Sequence, residues 1–61
     1  MKVIFSASGY GTRRYNFKNR DELMLDVNGT AEEHNGTVQD NGDELVVVDE
    51  SGEEVARWEI I

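Results

Sequence analysis

Six glycines and no proline punctuate this chain, and three of the glycines directly follow an asparagine, in Asn28-Gly29, Asn35-Gly36 and Asn41-Gly42. Asn-Gly tolerates positive φ at both central positions of a type I′ turn, so the spacing predicts short strands folded back on one another. Between the glycines the apolar residues mostly alternate, which places them on one face of a half-buried strand. Val3, Phe5 and Ala7 share a face of the first piece, and Tyr15 and Phe17 share a face of the second.

The clearest pairing lies near the C-terminus, where Leu45 to Val48 and Val55 to Ile60 flank Asp49-Glu50-Ser51-Gly52. An Asp at the start and a Gly in the left-handed position suit a type I turn with a bulge. Successive valines favour a strand, because branching at Cβ restricts χ1 in a helix. The lack of alternation from Leu45 to Val48 predicts apolar cover on both faces of that strand. Trp58, with Ala56 and Ile60 on its side, is the expected core anchor.

Residues 19 to 29 allow two readings. Leu23, Leu25 and Val27 alternate as in a strand, whereas Asn19 followed by Glu22 resembles a helix capping box that Gly29 would close. The strand is preferred because the neighbouring segments are β-like. Thr30 to Asn35 is polar and reads as a loop or weak edge strand. The expected fold is all-β, one domain over residues 1–61, with five or six antiparallel strands in a meander closing into an SH3-like barrel or compact sandwich. The alternative is an α+β fold with a short helix at about 19–28. Val3, Phe5, Phe17, Leu23, Leu25, Val47 and Trp58 are the expected core.

A chain of 61 residues buries only about 60% of its unfolded surface, and chains this short retain about 3–5 kcal/mol of net stability. Little remains to hold a strained active site. With no cysteine there is no disulfide framework and no thiolate metal site, which points to a reducing, cytoplasmic setting. No apolar run is long enough for a membrane span, and Met1 to Ser8 is short and lightly charged for a signal peptide. The Asn-Gly-Thr triplets at Asn28 and Asn35 match a glycosylation acceptor pattern but read first as turns.

Signatures of chemistry are weak. His34, the single histidine, lies far in sequence from Ser6 and Ser8, and Ser6-Ala7-Ser8-Gly9 lacks the nucleophile elbow. Asp40-Asn41-Gly42-Asp43-Glu44 resembles part of a calcium loop without its alternating ligands. Gly9-Tyr10-Gly11 lacks the Lys-Ser/Thr of a phosphate loop and reads as a hairpin turn. A pair of carboxylates for glycoside hydrolysis would need a sugar cleft that a chain of this size can hardly enclose. The expectation is a non-enzymatic protein with no cofactor and no metal.

Charge, by contrast, is sharply divided. Residues 1–20 hold five cations and no acid, and residues 21–61 hold thirteen acids against Arg57 alone, giving +5 and −12 for the net −7. The acidic part is expected to meet a protein with a basic surface through Glu32, Glu33, Asp40, Asp43, Glu44, Glu50, Glu53 and Glu54, in the manner of an inhibitor-like module, since complementary potentials speed association. The alternative is nucleic-acid binding through Tyr10, Arg13, Arg14, Tyr15, Lys18 and Arg20, where basic and aromatic residues interleave. Against it, Arg13, Tyr15 and Phe17 would point to one side of a strand and Arg14, Asn16 and Lys18 to the other. A third reading is a designed β scaffold with no biological function, given the absent Pro and Cys and the repeated Asn-Gly. A homodimer through a free strand edge is left open.

Overall fold

The computed structural model describes all 61 residues, Met1 to Ile61. Five strands and one helix follow in the order β1 (Lys2–Ala7), β2 (Gly11–Asn16), α1 (Arg20–Glu33), β3 (Thr37–Asp40), β4 (Glu44–Val48) and β5 (Glu54–Ile60). The strands form one sheet in the order β2-β1-β5-β4-β3, with every neighbouring pair antiparallel. The expectation of five or six antiparallel strands holds at five, but the order is not that of a meander, since β1 pairs with β5 and the chain passes through α1 from edge strand β2 to edge strand β3. The sheet is open, however, with β2 and β3 as its two edges, so the expected barrel does not form. Helix α1 covers one face in place of a second wall of strands, giving two layers.

The preferred strand over residues 19–29 is corrected to a helix, longer than the alternative reading placed it. Asn19 caps α1, its side chain accepting from the Glu22 N–H at 2.9 Å, and the Glu22 carboxylate reaches back towards the Lys18 N–H at 3.4 Å. Leu23, Val27 and Ala31, spaced by four, are the residues α1 buries. Helical spacing wins because it aligns these three on one stripe, whereas the period-two series includes Leu25, which is 76% exposed and leaves the expected core. Gly29 does not end the helix. The terminus is a Schellman motif in which the Gly36 N–H donates to the Ala31 carbonyl at 2.7 Å and the Asn35 N–H to that of Glu32 at 3.3 Å. Asn35 occupies the left-handed position, with φ 50°.

Register assigns the faces. Val3 lies opposite Tyr15 and Ile60, Phe5 opposite Arg13 and Trp58, Leu45 opposite Trp58, and Val47 opposite Ala56 and Val38. These residues share the helix side with Leu23, Val27 and Ala31. The core cluster joins those three to Val3, Leu45, Val47, Ala56 and Trp58, with Phe5 and Phe17 partly buried against it. Trp58 is wholly buried, and its indole N–H donates to the Asp26 carboxylate of α1 at 3.1 Å, tying helix to sheet.

On the opposite face no second layer exists. Val46 is nevertheless buried, flanked in register by the long side chains of Gln39 and Arg57, so Leu45-Val46-Val47 are all buried although only one side is covered by a helix. A bulge between β4 and β5 pairs Val47 with Ala56 but Val48 with Glu54, leaving Val55 as the extra residue. Glu54 and Arg57, three apart on a strand, would otherwise face opposite ways; the bulge brings them to the same side.

The turns follow glycine chemistry with one change. Asp49 and Glu53 enclose the expected type I turn with bulge, in which the Gly52 N–H donates to the Asp49 carbonyl at 3.0 Å and Gly52 has φ 88°. Between β3 and β4, Gly42 alone takes a positive φ, 84°, and the Asn41 N–H donates to the Glu44 carbonyl at 2.9 Å. That turn is therefore centred on Gly42-Asp43, with positive φ at its first central position only, and is not a type I′ Asn-Gly turn. Gly9-Tyr10-Gly11 belongs to the β1–β2 hairpin, both glycines lying at positive φ.

Candidate functional site

Strand directions sort the loops into two ends. One end gathers the β1–β2 turn, the C-terminus of α1 and the β4–β5 turn; the other gathers the β2–α1 link, the β3–β4 turn and both chain termini. The carboxylates expected to form one acidic face are divided between these ends and the open face of the sheet. Asp40 and Asp43 sit at the end with the termini. Asp40 is bound there by both oxygens to Arg20 at 2.9 Å, while Arg20 also donates to the Gly42 carbonyl at 3.1 Å. The Gly42 N–H, and after it the Arg20 guanidinium, holds the Asp40 carboxyl below its ordinary value.

Glu44 and Glu54 are taken up on the open face by Arg57, at 2.6 Å each. The Arg57 hydrogen bonds hold Glu54 below the usual carboxylate range, and Glu54 first and Glu44 with it push the guanidinium up. Asp49 spends its Oδ1 on the turn it begins, accepting from the Ser51 hydroxyl at 2.6 Å and from the Ser51 and Glu53 N–H groups at 2.9 and 3.0 Å. These bonds, the Ser51 hydroxyl foremost, lower its pKa. Asp40, Glu44, Asp49 and Glu54 thus each have an internal partner, whereas Asp43 is in no ion pair.

Glu32, Glu33, Glu50 and Glu53 take part in none of the ion pairs and lie in the loops and helix terminus of the other end. Glu32 and Glu33 fall in the last turn of α1, which contains no basic residue. The helix dipole is already negative there, so two acids raise the local negative potential instead of offsetting it. Below them opens a cleft of about 650 Å³ between α1, the β1–β2 hairpin and the β4–β5 turn. Phe5, Ala7, Val55 and Ala56 supply its apolar lining; Glu33, Asp49, Glu53 and Glu54 are its acids, Arg13 is its one cation, and Tyr10 and His34 are also in the wall.

The basic-aromatic set is also split. Arg13 and Tyr15 lie on the helix side of β2 and Arg14 on the open side, opposite Ile4. Tyr10 is 82% exposed at the hairpin tip, whereas Arg20 is committed to Asp40. Lys2, Arg13, Arg14 and Lys18 take part in no ion pair. Tyr15 is partly exposed and packs between Phe5 and Phe17, with ring centroids 5.6 and 6.0 Å away.

Of the groups weighed for chemistry, His34 is the helix C-cap, Ser8 lies in the β1–β2 turn, and Ser6 is on the open face opposite Arg57. No three His, Asp or Glu side chains converge as a metal-binding group. The sequence reading missed Val55, Ala56 and His34 as parts of the cleft. The findable signal was Glu32-Glu33 beside Asn35-Gly36, acids at the wrong end of a helix once that pair is read as a C-cap.

These features define a small two-layer α+β domain, an open five-stranded antiparallel sheet carrying one helix, with an acidic cleft at one end and a cationic edge strand. No family model, curated protein or solved structure matches the chain.

Proposed function

We propose that this protein is a non-enzymatic interaction module that binds a basic segment of another protein at the acidic cleft beneath the C-terminus of α1. The observation that carries this reading is the pair of cleft-lining acids outside every ion pair, Glu33 and Glu53, with Glu32 beside them in the last turn of α1 and Glu50 in the β4–β5 turn. Arg20 takes up Asp40, and Arg57 takes up Glu44 and the cleft-lining Glu54; Asp21, Glu22, Asp26, Asp43 and Glu59 are also in no ion pair but do not line the cleft. Acids placed against the helix dipole oppose stability, and a cationic partner relieves both terms at once.

The cleft suits a lysine or arginine side chain because an apolar lining accepts the aliphatic stem while the rim meets the charge. Its volume, about 650 Å³, falls within the range of about 300–1,000 Å³ typical of ligand clefts. The test is titration of a labelled oligo-arginine peptide at about 50 mM and about 200 mM salt against the parent chain and Glu33→Gln plus Glu53→Gln. Binding is expected to weaken with salt, and the double variant to bind about threefold to tenfold more weakly, at about 0.3–0.7 kcal/mol per exposed charge. Equal affinity of parent and variant removes the cleft from consideration.

A further inference from the structure

The two sheet edges differ in a way the acidic cleft leaves unexplained. β3 has four residues, and its end is clasped by Arg20 from the start of α1 through Asp40 and Gly42. β2 has six, all exposed, with nothing paired along its outer side. A free edge of this length presents backbone N–H and C=O groups ready to pair with another strand. Its chemistry is selective: Arg13 projects to the helix side and Arg14 to the open side, neither in an ion pair, and no acid occurs between Met1 and Arg20.

We propose that the β2 edge is a binding site for an extended acidic segment of a partner protein, which adds to the sheet as a sixth strand. Residues opposite one another in neighbouring strands share a face, so the register prescribes the ligand. Acids belong opposite Arg13 and Arg14. An apolar residue belongs opposite Tyr15, whose ring continues the row formed with Phe5 and Phe17 on the helix side. Small polar residues suit the positions opposite Thr12 and Asn16 on the open face. The prescription for an antiparallel segment is Thr-Val-Glu-Glu-Thr-Val.

A second copy of this chain is a poor occupant. Symmetric antiparallel pairing of β2 with itself, centred at or between Arg13 and Arg14, sets arginines opposite arginines, and like charges directly opposite are destabilising. Nucleic acid is a poorer fit than a strand, because the two arginines lie on opposite faces of the sheet and a backbone-paired ligand is what reaches both.

The probe is the hexapeptide Thr-Val-Glu-Glu-Thr-Val, capped at both ends, added to the isotope-labelled chain at about 50 mM salt. Expected are amide shift changes confined to Gly11–Asn16 and slowed hydrogen exchange at the outward β2 amides. Two versions of the peptide N-methylated at alternate amides keep its charge; the one blocked on its pairing edge is expected to bind at least about tenfold more weakly than the other. Arg13→Glu plus Arg14→Glu, both exposed positions, should lose binding while Trp58 fluorescence reports an intact core. Equal binding of both methylated peptides, or shifts mapping away from β2, overturns the proposal. So does a short oligothymidylate that binds these amides more tightly than the peptide, which would give the edge to a nucleic acid. Arg13 also lines the cleft, but the cleft's own test uses a peptide of the opposite charge and variants at Glu33 and Glu53, outside β2, so the two readings fail separately.

Discussion

At the residue scale, α1 turns on which leucine is inside. Leu23 has no exposed surface and Leu25 is 76% exposed, two positions apart on the same helix. Truncating a buried leucine removes its transfer free energy and leaves a cavity, about 2–5 kcal/mol together, whereas an exposed one costs under about 0.5 kcal/mol. Leu23→Ala is therefore expected to consume most or all of the stability of so short a chain, and Leu25→Ala to leave it nearly unchanged. Urea unfolding followed by Trp58 fluorescence separates the two. Comparable losses would mean that residues 19–29 bury both leucines, as the strand reading required. The indole is a suitable reporter because it sits in the core and bonds to Asp26 on the same helix.

At the element scale, the two Asn-Gly pairs flanking the end of α1 differ in what their glycines do. A β-carbon on Gly29 would meet nothing within 4 Å, and its backbone is helical. Gly29→Ala is expected to stabilise the protein by about 0.5–1 kcal/mol, by removing backbone freedom from the unfolded chain. At Gly36 a β-carbon would lie 2.5 Å from the Val48 carbonyl oxygen and 3.1 Å from Val47 Cγ1. Gly36→Ala must displace β4 backbone and is expected to destabilise by about 1–3 kcal/mol. Thermal melts of the two variants should move in opposite directions; a Gly29→Ala melt below that of the parent would contradict a helix running through to Glu33. The same pair shows what was legible in the sequence. Asp49 to Gly52, the valines of β4 and Trp58 could be placed because turn chemistry, β-branching and burial all pointed one way there. Asn28-Gly29 misled because Asn-Gly is read as a turn, yet an exposed glycine inside a helix costs only about 1 kcal/mol, less than burying Leu23, Val27 and Ala31 together returns. The open sheet was illegible for a related reason: once a helix is available to cover one face, closure into a barrel is no longer needed. Of the acidic set, proximity in sequence said nothing about which carboxylates the arginines would take up, since the β4–β5 bulge and the β3–β4 turn decide that.

At the scale of the whole molecule, some charged groups are held by internal partners while others, among them Glu33 and Glu53 at the cleft and Arg13 and Arg14 on β2, are in no ion pair. The held groups are what make stability depend on pH. Asp40 and Asp49 titrate below their ordinary value of 3.8, and Glu54 below 4.5, each because hydrogen bonds favour the charged form. For a carboxyl whose folded pKa is depressed, the stabilisation is fully present above the unfolded value and is lost as pH falls through the folded one. Relief of repulsion within a chain of net charge −7 acts in the opposite sense as acids are protonated, so the parent's acid profile alone mixes two effects. A neutral isostere separates them. Asp49→Asn keeps an oxygen for the Ser51 and Glu53 donors but removes the charge that those donors favour. It is expected to be less stable than the parent at about pH 7, with the difference constant down to about pH 5 and closing as pH drops through and below about 4. Urea unfolding of both proteins across that range measures the gap directly. A gap that does not narrow at all as pH falls from about 5 to about 2 would mean that the Asp49 carboxylate does not owe its role in the β4–β5 turn to its charge.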